Sequence, residues 1–225
     1  CSRGKDLILQ ILTFSRQDKA DREPLYLEPI IKETLKLLRA TIPSIIEIRT
    51  SIQKDCPPTK ADATQIHQIL INLGTNAYHA MREDGGVLSI SLEEVKLDET
   101  YPGLSPNLPI GSYLKLTFTD TGIGMNEETL ARLFDPFFTT KPVGEGTGMG
   151  LSVVHGIVKG HGGEIMVSSQ KGKGAEFVLF LPSCEASLNL ESSEQPQVPK
   201  GQEHVLLVDD DPLLLKVQSR LLRRQ

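Results

Sequence analysis

Asp120 stands among glycines, in Asp120-Thr-Gly122-Ile123-Gly124-Met125, at the end of an alternating apolar stretch. Upstream lies Asn72-Leu-Gly-Thr-Asn76-Ala77, with two asparagines one helical turn apart. Downstream come Phe134-Asp-Pro-Phe137-Phe138 and the glycines Gly144, Gly146, Gly148 and Gly150. An ionised carboxylate turned towards a core is costly without a donor, and the exocyclic amino group of adenine is such a donor. Gly122 and Gly124 would leave room for a flat base; alternatively, the carboxylate could accept N–H groups of its own Asp-Thr-Gly turn. The asparagine amides could supply one oxygen to Mg²⁺, whose shell is otherwise water and phosphate, or could lie on a solvated face. A glycine-rich loop opening a helix turns N–H groups towards phosphate, although flexible loops have the same composition. The lysine of a P-loop is absent; Lys141 could instead approach a terminal phosphate or stay solvated. Each feature has a bland explanation alone, but in this order they point to one nucleotide site.

The elements that must position these groups follow from periodicity. Ile66, Ile69, Leu70, Leu73, Ala77 and Ala80 form one stripe of a helix expected over Ala61–Met81. Asn72, Asn76 and His79 form a second stripe, roughly 100° round the axis, so the helix can bury one stripe and offer the other to a cleft. Leu114, Leu116 and Phe118 alternate as in a strand, which turns Asp120 to their face. Further strands are expected at 46–52, 88–92, 164–169 and 175–181, the last two joined by Gln-Lys-Gly-Lys-Gly. Ile30 to Leu38 reads as a helix ending before Pro43, and Leu151–Val158 as a helix following the glycine cluster. Arg16–Pro24 reads as a charged connector and Asp98–Gly111 as a long loop. The phenylalanines 134, 137 and 138 fit either a core cluster or the anchor of a mobile lid.

Bulk properties narrow the class. The chain has 225 residues, a net charge of −5 and 39% hydrophobic residues, which suits a globular domain with appendages and gives no electrostatic reason to bind nucleic acid. Cys1, Cys56 and Cys184 lack disulfide or zinc spacing, so a reducing, cytoplasmic setting is expected. No apolar run approaches the roughly 18 residues of a membrane span, so no membrane contact is expected of this stretch. A sensor or membrane segment is expected before Cys1. His67, His79, His155, His161 and His204 show no metal-ligand spacing, and only His79 shares the asparagine stripe.

Together these boxes resemble the catalytic, ATP-binding domain of sensor histidine kinases over about residues 25–182. Gln68 to Ala77 has the form of the N box, Asp120 to Gly124 of the first glycine box, and Phe134 to Phe138 of the F box. Gly146-Thr147-Gly148-Met149-Gly150-Leu151 matches the second glycine box, and Lys171 to Phe177 looks like the third. The resemblance implies an α/β fold: a two-layer sandwich with a mixed sheet of about five strands and helices on one face. It further implies ATP and Mg²⁺ as ligands, with Asn76 on the metal, Asn72 its partner and Asp120 on adenine. His79, Ile123, Met125 and Lys141 complete the implied nucleotide set with the glycine boxes. Ala175 departs from the pattern, standing where threonine is frequent, which puts one polar contact near the base in doubt.

The flanks resemble neighbouring parts of such kinases. Residues 1–20 look like the end of a dimerisation and phosphotransfer helix, and 183–201 like a linker. Residues 202–225 look like the start of a receiver domain, with Asp209 and Asp210 as its Mg²⁺-binding acidic pair. The resemblance implies a homodimeric hybrid kinase that transfers the γ-phosphoryl group to a histidine, with a receiver domain or response regulator as partner. The five histidines are followed by Gln68, Ala80, Gly156, Gly162 and Val205 rather than an acid, so the acceptor is expected on a preceding helix. Autophosphorylation by this stretch alone is therefore not expected. Related topoisomerase-like ATPases carry a glutamate one turn before the magnesium asparagine. Here Asn72 stands there and cannot act as a base, which favours transfer over hydrolysis; a nucleotide-binding module without transfer is the other alternative.

Overall fold

The computed structural model describes residues 22–98, 108–141 and 146–184. In chain order the elements are β1 (Glu23–Leu25), α1 (Leu27–Thr41), β2 (Ile46–Ile52), β3 (Thr59–Ala61), α2 (Ala63–Met81), β4 (Gly86–Leu97) and β5 (Gly111–Asp120). They are followed by α3 (Glu127–Ala131), α4 (Gly150–Gly160), β6 (Glu164–Ser169) and β7 (Ala175–Pro182). Five strands form the main sheet in the order β2-β4-β5-β7-β6, with β2 and β4 parallel and the remaining pairs antiparallel. This is the expected mixed α/β sheet.

Alternation along the strands divides the sheet into two faces. Ile90, Phe118 and Phe177 form one cross-strand row, and Leu92, Leu116 and Leu179 the next; all are buried. Against this face pack Ile30, Ile31 and Leu38 of α1, Ile66, Ile69, Leu70 and Leu73 of α2, and Val153, Val154, Ile157 and Val158 of α4. The other face carries Ser89, Ser91, Thr117 and Thr119. It also holds a second small apolar cluster of Leu97, Leu108, Tyr113 and Phe180, in which the Tyr113 hydroxyl donates to Pro109 O at 3.0 Å. Helices therefore cover one face, as two-layer packing requires.

Three details differ from the sequence expectation. Helix α2 starts at Ala63 rather than Ala61, because Asp62 is its N-cap and accepts from the Thr64 and Gln65 N–H groups at 2.7 and 3.4 Å. Ala61 belongs instead to β3, whose partner is β1; Glu23 and Pro24, expected in a connector, pair with Ala61 and Lys60. On the other side of β3, Thr59 bridges Ser183 and its hydroxyl donates to Pro182 O at 2.7 Å. Strand β3 thus ties together the segments that enter and leave the domain. The third detail is α3, which follows Asn126; its side chain accepts the Thr129 N–H at 2.9 Å, and Glu127 and Glu128 occupy the first turn. Five residues are too few for periodicity to reveal such a helix.

His161, at the end of α4, locks this end of α2 in place. Its Nδ1 donates to Ile157 O at 2.8 Å, and its Nε2 accepts the Asp62 N–H at 3.4 Å. Burial holds its pKa below the ordinary histidine value, consistent with a neutral ring. Asp62→Ala is expected to destabilise the domain by about 1 kcal/mol through loss of the cap, measured as a shift in the denaturant midpoint.

The expected helix at 1–20, most of the linker, and Asp209, Asp210 and His204 lie outside the described residues. Among the described residues, no helix is long and apolar enough to cross a membrane.

Candidate nucleotide site

A cavity of about 530 Å³ opens between α2, the end of β5, α3 and the start of α4. Its buried end holds Asp120, which is only 6% exposed. Cross-strand pairing places Asp120 in a row with Leu88 and Ala175 on the core face, as its alternation predicts. The carboxylate accepts the Gly122 N–H at 2.9 Å and a backbone hydrogen bond from Ala175. Burial nevertheless pushes its pKa above the usual aspartate value, because desolvation outweighs the two backbone donors. Asp120 therefore ties its own turn, as one reading of the sequence had it, and also lines the cavity. An ionised carboxylate has about four acceptor positions, so capacity remains for a ligand donor. The same cavity is lined by the apolar side chains of Ile123, Met125, Leu133, Leu151, Ala175 and Phe177. The methyl of Ala175 adds no polar contact beside Asp120.

The two glycines after Asp120 have a different role from the one expected. A Cβ on Gly122 would lie 2.6 Å from Ala80 O, and Gly122 does not line the cavity. A Cβ on Gly124 (φ +62°) would fall on the Gln170 carbonyl oxygen. Small size at these positions lets the loop lie between the end of α2 and the β6–β7 turn. There the Ile123 N–H donates to Ala80 O at 3.1 Å, and the Gly172 N–H to Ile123 O at 2.7 Å. The Met125 N–H donates to Ser169 Oγ at 2.9 Å, and that hydroxyl donates onward to Gly174 O at 2.7 Å. Gly122 thus packs behind the cavity wall, whereas Gly124 both packs against Gln170 and lines the cavity.

Along α2, Asn72, Asn76 and His79 all line the cavity, as their stripe predicts. Asn76 Oδ1 accepts from Lys141 Nζ at 3.2 Å. Asn72 faces the start of α4: its Oδ1 lies 3.5 Å from where a Gly150 Cβ would stand. Gly146, Thr147, Gly148, Gly150 and Leu151 also line the cavity, whereas Met149 is buried behind them, 8% exposed. Gly148 takes φ +67° and lies against the Phe137 backbone, so a side chain there would be both strained and blocked. Gly144 lies outside the described residues. Helix α4 starts at this wall, so the orphan N–H groups and positive dipole end of its first turn are available to an anion.

The three phenylalanines divide their roles. Phe134 packs against the core and stacks on the His155 ring with centroids 4.7 Å apart. Phe138 lines the cavity beneath the Arg132 guanidinium, which lies 4.4 Å from its centroid. Phe137 is 65% exposed and adopts φ 67°. Thr75, Arg82, Glu83, Thr129, Thr139 and Thr140 also line the cavity, although sequence reasoning did not find them. Glu83 continues the Asn76–His79 stripe by one more turn, a signal that was available; the threonines carried none.

The sequence profile described as "Histidine kinase-, DNA gyrase B-, and HSP90-like ATPase" matches residues 61–185, more than half the chain. The chain belongs to this family. Among its relatives, the sensor kinase CckA of Brucella abortus is 35% identical over 93% of the chain, and the sensor histidine kinase ZraS of Escherichia coli K12 is 38% identical over 69%. The chain spans only 23% and 30% of these two proteins. The catalytic domain of the histidine kinase ThkA superposes with a TM-score of 0.57 at 28% identity, covering 72% of this chain and 95% of that domain. Full-length ShkA, solved in complex with AMPPNP, gives 0.60 at 25% identity, covering 80% of this chain and 36% of ShkA. The chain thus carries a histidine-kinase-type ATPase domain, and the cavity lies where its N, F and glycine boxes converge.

Proposed function

We propose that this domain binds Mg-ATP and donates the γ-phosphoryl group to a histidine carried on a separate dimerisation domain, in two-component signalling. The observation that carries this reading is one cavity lined by two chemically different sets of groups. Asp120 offers a buried acceptor, with Ile123, Leu151 and Phe177 among the apolar lining; Asn76, His79, Lys141 and the start of α4 add an ammonium, an imidazole and N–H groups to the same cavity. An adenine base suits the first set and phosphates the second.

The residues present fit Mg²⁺. Asn76 Oδ1 already receives an ammonium group inside the cavity, so it is presented to a cation. One amide oxygen, with water and phosphate oxygens, is the kind of shell this ion accepts. When bound, Mg²⁺ supplies charge neutralisation on the phosphates. The domain's own share is positioning: Asp120 fixes the base, the first turn of α4 holds phosphate oxygens, and Lys141 and His79 offer further donors. Asn72, one turn before Asn76, is a neutral amide and cannot take a proton from water, which favours transfer over hydrolysis. The whole kinase is proposed to act as a homodimer with a receiver domain or response regulator as its phosphoryl acceptor. ThkA, a structural neighbour at 26% identity, has been solved with the response regulator TrrA, which supports that partner class.

The deciding experiment supplies γ-labelled Mg-ATP and a histidine-bearing dimerisation domain to the protein. Acid-labile label on the supplied domain is expected, with Asn76→Ala reducing its rate about 100-fold, as loss of a metal contact would. Phosphate release without transfer, or full transfer by Asn76→Ala, would overturn the reading.

A further inference from the structure

Helix α3 buries none of its residues, so the segment after it must be seated by its own side chains. Within that segment the Asp135 N–H donates to Arg132 O at 2.9 Å and the Phe138 N–H to Asp135 O at 3.2 Å. The Arg132 guanidinium covers the Phe138 ring and stands 3.5 Å from an Asp135 carboxylate oxygen. Residues 132–138 are thus one compact turn, and the side chains that seat it on the core are Leu133 and Phe134. Leu133 and Phe138 line the cavity, so this turn is one of its walls. Helix α4 supplies another, with Leu151 and the N–H groups of its first turn.

His155 stands one turn beyond Leu151 on α4, and its ring stacks on Phe134 with centroids 4.7 Å apart and planes 30° from parallel. We propose that His155 is a positioning residue for the nucleotide site: its stack on Phe134 fastens the Leu133–Phe138 wall to the helix that faces phosphate. The assignment deepens the Mg-nucleotide reading and, for its bearing on function, rests on it. A stacked pair fixes ring orientation as well as burying area, so it sets how the two walls stand to one another. Without it, Leu133 is left as the anchor of the turn on the core.

The imidazole gives this contact a signature that ordinary packing lacks. Among the described residues, Lys159, one turn further along α4, and Glu164 of β6 act on its charge. Glu164 is itself held by the Lys159 ammonium at 2.6 Å, and the charges of the packed turn, Arg132 and Asp135, face each other. Burial, joined by Lys159, holds the His155 pKa below the ordinary histidine value, and Glu164 offsets only part of this. A ring swung out into water titrates at the ordinary value. As pH falls below that value, the swung-out ring binds more protons than the stacked one, so acid favours release of Phe134.

Amide hydrogen exchange of the nucleotide-free protein, corrected for the intrinsic pH dependence of exchange, tests this at Asp135 and Phe138. His155→Ala is expected to speed both amides about fivefold at pH 7. His155→Phe, which keeps a stacking ring, should retain slow exchange. From pH 7 to pH 5 the wild type should lose protection about threefold or more, and His155→Phe should lose none. A loosened wall must be ordered by the ligand, so His155→Ala should bind ADP up to about fivefold more weakly, with His155→Phe matching the wild type. Unchanged protection in His155→Ala, or a pH response that persists in His155→Phe, would overturn the assignment. ADP calorimetry on the folded wild type is read separately: no binding would remove the nucleotide reading, while the exchange rates would still decide whether His155 holds the wall.

Discussion

Asp120→Asn is expected to lose at least about 100-fold in adenine-nucleotide affinity, roughly 2.7 kcal/mol, while making the free domain more stable at neutral pH. The two effects have one cause. Asp120 is nearly inaccessible, and burial raises its carboxyl pKa despite backbone bonds from Gly122 and Ala175. Between the ordinary aspartate pKa and this raised value, the folded domain binds more protons than the unfolded chain. The group's contribution to stability is therefore fully present below the unfolded pKa and lost as pH rises through the folded one. At neutral pH the wild type carries an incompletely compensated charge that asparagine removes.

Asparagine keeps the size of the side chain and one oxygen for the Gly122 N–H, so the turn should survive. It also turns an amide NH₂ towards a ligand amino group, replacing an acceptor with a donor. ADP calorimetry, and urea unfolding from pH 7 down to the ordinary aspartate pKa, measure both effects. The stability advantage of Asp120→Asn should shrink at the lower pH, and wild-type nucleotide affinity should fall as acid protonates the carboxyl. Undiminished ADP binding by the variant would remove Asp120 from the site; a stability difference between variant and wild type that stays constant as pH falls to the ordinary aspartate pKa would mean that burial does not penalise its charge.

Gly174→Ala is expected to destabilise the domain by about 3 kcal/mol or more and to impair ADP binding with it. Gly174 adopts φ +82° in the turn between β6 and β7, and a Cβ there would fall on the main-chain carbonyl oxygen of Asp120. Unlike the end of a long side chain, that carbonyl cannot swing aside: β5 is paired on both sides, with Leu88 opposite Asp120 on β4 and Ala175 opposite it on β7. Relief would require shifting either the turn or the strand end that positions the carboxylate. Gly172 provides an internal control. It has φ +79° in the same turn but nothing within 4 Å of its missing Cβ. Gly172→Ala should therefore cost only the left-handed backbone penalty, about 1 kcal/mol. Comparing the two midpoints in urea separates contact from conformation, and equal losses would show that the approach to Asp120 is unimportant.

The main elements were legible in the sequence for a simple reason. Leu114, Leu116 and Phe118 alternate because β5 lies between two strands with one face on the core, and the α2 stripe repeats because that helix crosses the same face. Periodicity is a local record of burial. The same logic put Asn72, Asn76 and His79 on the cleft side and turned Asp120 inward. What stayed hidden was local structure too short to carry a period: β1 and β3 are three residues each and exist because they pair with one another.

Sequence alone determined the α/β class, the stripe that bears the asparagines, the inward carboxylate and, through the order of the boxes, the family. Tertiary structure alone decided which atoms those groups meet. It gave Gly122 and Gly124 a packing role against Ala80 and Gln170, set Phe134 against the core and Phe137 outside, and brought Lys141 to Asn76. Periodicity records which way a side chain faces; the distance between Lys141 and Asn76 depends on how separate elements pack, and no local pattern encodes that.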